Sequence, residues 1–402
     1  MSFQQGLSGL NAAAKGLDAV SNNVSNAGTV GFKGSQAQFS DVYAASISGG
    51  GGSQVGIGVN ITSVKQAFTQ GNISVTNNPL DIAINGAGFF RMNNNGSISY
   101  TRNGQFLVNS TGYVVNSAGG RLTGYSANAS GVIVPSSPAD IVISSADLTP
   151  TPTTTAAVGL NLDSRSVVPA AFNFLNPTTY NSSTAVTVYD SLGNAHVQSQ
   201  YFRKTGANTW DMYSLLDSAA GSQTGPTALA FNSAGTLTTA QPLGALAYTL
   251  TNGAANLSVA LDFTGSTQYG STFGVNKLSQ DGYASGRLSG VNVAADGVVQ
   301  GRYSNGQSRN LGQIVLANFA NPNGLLSAGG NQWTETAATG QPLIGAPNSG
   351  SLGVLQSAAV EESNVDLTGE LVNMITQQRN YQANAQSIKT QDSILQTLVN
   401  LR

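Results

Sequence analysis

Apolar residues recur with helical spacing at both ends of the chain. Phe3, Leu7, Leu10, Ala14, Leu17 and Val24 alternate steps of four and three, with Ser21 in the one polar slot, which defines a heptad seam. Asn22, Asn23, Asn26, Gly28 and Gly31 then accumulate, residues that tolerate left-handed backbone and end helices. The helix is expected to stop near Ala27. The far end repeats the device at greater length: Leu367, Leu371, Met374, Tyr381, Ala385, Ile388, Leu395 and Val399, with polar Gln378 and Asp392 in the same register. Asp366 fits an N-cap and Glu370 a first-turn anion, so the pattern predicts one helix of about 35 residues.

Between these ends the period shortens to two. Asn-Gly or Asp-Gly pairs at Asn85, Asn95, Asn103, Asn252, Asp281, Asp296 and Asn305 punctuate short apolar runs and favour type I′ hairpins. The plainest case is 288–293, a turn at Asp296 and Gly297, then 298–303. The expected fold class is therefore multidomain and mainly β, with nested discontinuous β domains enclosed by N- and C-terminal α-helices that pair as a coiled coil. A four-glycine run at 49–52 and a Pro/Ser/Thr stretch at 135–155 suggest linkers. The expected domains are 1–35 plus 358–402 (helical), 36–71 (linker with an extended or hairpin segment), 72–148 plus 284–357 (discontinuous β) and 149–283 (inserted β).

Composition narrows the function. Only 8% of the 402 residues are Asp, Glu, Lys or Arg, against about 25% in an ordinary soluble domain. A net charge of −2 supplies no basic field for nucleic acid. One histidine and no cysteine remove disulfides, thiolate zinc sites and most nucleophilic triads. His196 follows Gly193 and Asn194 in a hairpin-loop pattern and reads as a surface or satisfied residue. Glu361 and Glu362 are adjacent, so on a helix they diverge by about 100° and form no acid/base pair; both are expected in solvent near the helix start. The GAGFFR segment at 86–91 lacks the third glycine of a dinucleotide loop, and 93–96 lacks calcium-binding carboxylates. No catalytic, metal or cofactor residues emerge, and no cofactor is expected. The chain has no apolar stretch of membrane-spanning length and no leader-like start, which by themselves point to the cytoplasm.

A lone amphipathic helix usually packs on its own core, but these two lie at opposite ends, beside loop-like sequence. A helix pair with a small Ala/Leu core is marginal alone, and seams needing neighbours on more than one side generate helical filaments.

The segment NNVSNAGTVGFK at 22–33 resembles the Asn-Asn-x-x-Asn-x-x-Thr-x-Gly-Phe-Lys signature of the bacterial flagellar rod and hook family, carried here by Asn22, Asn23, Asn26, Thr29, Gly31, Phe32 and Lys33. The stretch from Ser363 onward resembles the family's C-terminal signature. These ends are shared by rod, hook and hook-associated members. YTRNGQF at 100–106, VYDSLGNAH at 188–196 and LGQIVLANFANPNGL at 311–325 resemble the hook members, as does the length; a distal rod member would lack the 149–283 insertion.

The resemblance implies a self-polymerising structural subunit of a hollow, curved tube, a universal joint carrying torque from rod to filament. The paired ends would form the inner tube and the β domains the middle and outer layers. It further implies export through the flagellar type III apparatus without a cleaved leader, placing the protein outside the cell, next to distal rod, hook cap and hook–filament junction proteins. Neither nucleic acid nor membrane insertion is implied. Phe39 and Tyr43 match a Phe-x-x-x-hydrophobe pattern that the family's export gate reads; the pattern is common by chance, and an ordinary core pair is the simpler reading. The rival classes are a secreted β-rich adhesin, which leaves both heptad ends unexplained, and a glycosidase, for which no carboxylate pair stands out.

Overall fold

The computed structural model describes residues 2–42 and 56–400; Tyr43 and the glycine run at 49–52 lie outside them. The chain forms two compact units: 1–144, 290–302 and 308–402 in the first, 145–289 and 303–307 in the second.

In the first unit, helix α1 (Ser2–Ser25) packs along helix α2 (Leu367–Asn400). Asp366 caps α2: its Oδ1 accepts from Thr368 N at 3.0 Å. An antiparallel hairpin, Ser35–Val42 with Gly58–Gln66, lies against α1, fastened where Gln5 Nε2 donates to Gly56 O at 2.6 Å. Beyond it, one long sheet interleaves segments from before and after the second unit. Arg121–Ser126 pairs with Phe89–Asn94 on one side and with Ser308–Ile314 on the other. The sheet buries Phe89, Tyr100, Phe319 and Trp333 in an edge-to-face aromatic cluster, the arrangement ring quadrupoles favour. Two short ladders lead back to the helices: Val354–Ser357 with Ile82–Asn85, and Ala359–Glu361 with Ile73–Val75.

The second unit joins a four-stranded antiparallel meander, Ser182–Tyr189, Ala195–Gly206, Thr209–Leu216 and Thr224–Ala230, to a four-stranded mixed sheet built around Thr155–Asn161. Their shared core holds Val158, Leu160, Val188, Phe202, Trp210, Leu261 and Phe263. The indole Nε1 of Trp210 donates to Gln268 Oε1 at 2.7 Å, so its burial leaves no polar atom unpaired.

Of the Asn/Asp-Gly pairs, only Asn95–Gly96 has both residues at positive φ (54° and 97°), as a type I′ turn requires. At Asp296–Gly297 and Asn305–Gly306 the glycine alone is left-handed. There the turn closes as Gly297 N to Ala294 O and Gly306 N to Tyr303 O, a four-residue loop in which the Asp or Asn keeps ordinary backbone. The Leu288–Val293 and Val298–Tyr303 strands flank the first of these.

Candidate functional site

The helix pair carries two distinct stripes. The side of α1 that meets α2 is made of Gly6, Gly9, Ala13 and Gly16, again in steps of three and four, with Asn23 seven residues further on. A Cβ on Gly9 would fall 2.7 Å from Asn384 Oδ1, and one on Gly6 or Gly16 would press on Ile388 or Gln377. The missing side chains let the two backbones approach closely. Ala13 and Asn23 are buried there. Each of these positions precedes a member of the large apolar seam by one residue, which on a helix rotates it by about 100°.

That seam is consequently turned partly outward. Phe3 and Leu7 are exposed, and Leu10, Ala14, Leu17 and Val24 are half-buried. On α2, Met374, Ala385 and Ile388 are half-buried. Leu367, Leu371, Tyr381, Leu395 and Val399 are exposed, as are their neighbours Val372, Ile375 and Ile394. Gln378 and Asp392 also face solvent. Apolar periodicity located the stripe of large side chains; the stripe of small ones is where the helices touch.

The motif at the end of α1 builds the base of the pair. Asn22 and Asn26 bond to each other, Asn26 Nδ2 to Asn22 Oδ1 at 2.8 Å, and Thr29 Oγ1 donates to Asn26 Oδ1 at 3.2 Å. Asn23 exchanges two bonds with the Ser35 backbone, both 2.8 Å, and reaches Glu370 Oε1 on α2 at 3.3 Å. Gly31 has φ +71° and would place a Cβ 2.5 Å from Asn103 N, so a side chain there is excluded by backbone and by space. Phe32 is buried.

Lys33 is buried completely. Its Nζ donates to Glu361 Oε1 at 2.5 Å and to Thr69 O at 2.7 Å, while Arg102 Nη1 donates to Glu361 Oε2 at 3.0 Å. Burial lowers the Lys33 pKa, against the pull of Glu361. Glu361 therefore departs from the solvent position expected of it: it ends a strand rather than starting a helix, and successive strand residues face opposite ways. Glu361 turns inward; Glu362 turns outward to Ser74 and Asn72. Phe39 lies on the Ser35–Val42 strand, largely exposed, at a register irregularity between Gln38 and Phe39.

In the second unit, His196 stands near the start of the Ala195–Gly206 strand rather than in the preceding loop. Its Nδ1 lies 2.7 Å from Asp217 Oδ2 and its Nε2 3.3 Å from Asp190 Oδ2. Asp190 is fully buried, and its carboxylate also accepts from Leu192 N, Asn194 and Asn252. This is a satisfied structural histidine at the edge of a cavity of about 360 Å³. Among the described residues no His/Cys/Asp/Glu group is arranged to hold a metal, and no helix is long and apolar enough to cross a membrane.

Rod-type ends paired as helices around an interrupted β body define an axial protein of the bacterial flagellum. Residues 3–33 match the flagella basal body rod protein family and 356–401 the C-terminal family of the flagellar basal body rod FlgEFG proteins. Residues 83–147 match the flagellar hook protein FlgE/F/G D1 domain, and 161–283 the flagellar basal body protein FlaE D2 domain. The chain is 44% identical to the flagellar hook protein FlgE of Escherichia coli K12 and 45% to that of Salmonella typhimurium, over the full length of each chain. It is 35% identical to that of Rhizobium meliloti, over all of this chain and 98% of the relative. The Helicobacter pylori flagellar hook protein FlgE2 crystal structure aligns with a TM-score of 0.52 at 14% identity, covering 72% of this chain and all of that one, which supports the fold. The chain belongs to the flagellar hook protein FlgE family, structural proteins rather than enzymes.

Proposed function

We propose that this hook subunit polymerises through its terminal helices into a hollow curved tube, with α1 and α2 lining the channel and the β units forming the middle and outer layers. The observation that carries this is the division of labour on the helix pair: small residues close the contact within one subunit, and the large apolar residues, Phe3, Leu7, Leu371, Leu395 and Val399 among them, are left exposed. Exposed apolar stripes of this length mark contacts, and helical stability depends on burying them. Neighbouring copies supply the missing surface, so the ends gain their full order on assembly.

As a universal joint, the tube exchanges lateral contacts while it turns under bend. Surfaces rich in Asn, Ser and Thr suit this, because a neutral hydrogen bond contributes about 0.5–1.5 kcal/mol and water replaces it readily, whereas breaking one side of a buried charge pair costs about 3–5 kcal/mol. Lys/Glu pairs introduced across lateral contacts should stiffen the tube; unchanged bending compliance would remove the sliding idea.

The same reading places the protein outside the cell after passage through the flagellar type III apparatus, between distal rod protein and hook–filament junction proteins, with a cap protein at the growing end. Phe39, exposed on its strand, remains the residue to test for export, together with Tyr43. Purified protein should form tubes visible by electron microscopy, and removal of 395–402 should abolish them while both β units stay folded. Tubes of unchanged yield from the trimmed protein would contradict the proposal.

A further inference from the structure

Five segments converge on Glu361. Lys33 follows α1 and Glu361 precedes α2; Thr69 and Gly71 come from the connection after the hairpin; Ile84 and Gly86 from the body; Arg102 from the next turn of the long sheet. Glu361 Oε1 accepts from Lys33 Nζ and from Gly71 N at 2.9 Å, and its backbone O accepts from Gly31 N at 2.8 Å. Arg102 Nη2 donates to Gly86 O at 2.7 Å and Nη1 reaches Ile84 O at 3.4 Å. The side chains of Lys33 and Glu361 are 0% exposed and that of Arg102 5%. Two cations and one anion are thus enclosed together, the surplus positive charge spread over the carbonyls of Thr69, Ile84 and Gly86.

Such a cluster is costly to open, even with Arg102 Nε left without a partner. If either chain end withdrew, the charges left buried would lose a partner. The helix pair above it has the opposite character: it is thin, exposed along much of α2, and held by small residues and amides.

We propose that the Lys33–Glu361–Arg102 cluster is the fraying stop of the unassembled subunit, the point at which melting of α1 and α2 ends and the ordered body begins. Opening of the helix pair runs down from the free ends and halts where the next step would break up the three charges. Assembly then refolds both helices from a base that is already in place. This deepens the proposed function, because it rests on the helices gaining order from neighbouring copies.

Hydrogen exchange on the full-length protein tests it, before and after assembly. In the unassembled protein, the amides of Ile73–Val75 and Ala359–Glu361 should exchange at least about 100-fold more slowly than those of the outer turns of α1 and α2. Glu361→Gln removes the anion while keeping the shape. It should speed exchange of those two strands by at least about tenfold and leave Ala195–Gly206 in the second unit unchanged, which also certifies folding. Lys33→Met leaves the Arg102–Glu361 pair intact and should give a smaller increase at the same strands. The double exchange Lys33→Glu with Glu361→Lys should fail to rescue, since it sets a lysine against Arg102.

Wild-type strands exchanging as fast as the helices would overturn the fraying stop, as would Glu361→Gln with unchanged strand protection. Helices equally protected before and after assembly would instead sink the reading that neighbours order them. A chain that never polymerises yet keeps this protection step would sink the hook tube and leave the boundary standing.

Discussion

Leu371 and Leu395 on α2 are 44% and 55% exposed in the single subunit, so truncating them should cost the subunit little and the assembly much. Full burial of a leucine side chain contributes about 1.5–3 kcal/mol. Roughly half of each side chain remains to be covered, about 1 kcal/mol per site. Leu→Ala at both positions should therefore raise the critical concentration for polymerisation about 30-fold, from about 2 kcal/mol at tenfold per 1.4 kcal/mol. Alanine is the better helix former, so weakened helix propensity does not account for such a loss. Leu371→Asp or Leu395→Asp adds the desolvation of a carboxylate, several kcal/mol, and should block assembly outright. The assay is light scattering or sedimentation against protein concentration, with the melting of the unassembled protein as control. Exposed surface substitutions usually stay within about 0.5 kcal/mol. An unchanged critical concentration in the double alanine variant, or unfolding of the β units in either aspartate variant, would refute the reasoning.

Gly9→Leu sets a helix-propensity gain of about 1 kcal/mol against overpacking of about 1–3 kcal/mol where Asn384 already occupies the space; loss of the α1–α2 contact, read by cross-linking across the pair, is the expected result. Asp366→Ala removes the cap on Thr368 N and should weaken α2 by about 1 kcal/mol, seen as faster exchange in its first turn. Burial opposes the charge on His196, but its hydrogen bonds to Asp217 and Asp190 prevail and raise its pKa. Its stabilising effect is therefore full below the ordinary value near 6.5 and is lost as pH rises through the raised folded value. Because the chain has one histidine, a single imidazole NMR titration reads this directly, and Asp217→Asn should shift the midpoint downward.

The helices were legible because their signals are local: a capping Asp366 and a sustained heptad need no distant partner to be recognised. The hairpin of Leu288–Val293 and Val298–Tyr303 was equally local, although its turn type was not, since the Asp-Gly pair fits either a type I′ turn or a longer loop with one left-handed glycine. What escaped were features created by distant partners. Glu361 beside Glu362 looks like a solvated acidic pair until Lys33 and Arg102 are brought around it. The glycine stripe of α1 carries no hydrophobic signal and acquires meaning only from Asn384 and Ile388 opposite. Lys33 gained a reason through the same contacts, as the buried counter-ion that joins both chain ends to the body.

The central claim is that the outward apolar stripe of the terminal helices is the seam between subunits, and a helical reconstruction of the assembled tube tests it most directly. The account predicts Phe3, Leu7, Leu371, Leu395 and Val399 within about 4.5 Å of helices from neighbouring copies around a central channel. The same side chains facing solvent, or helices lying outside the channel wall, would contradict it.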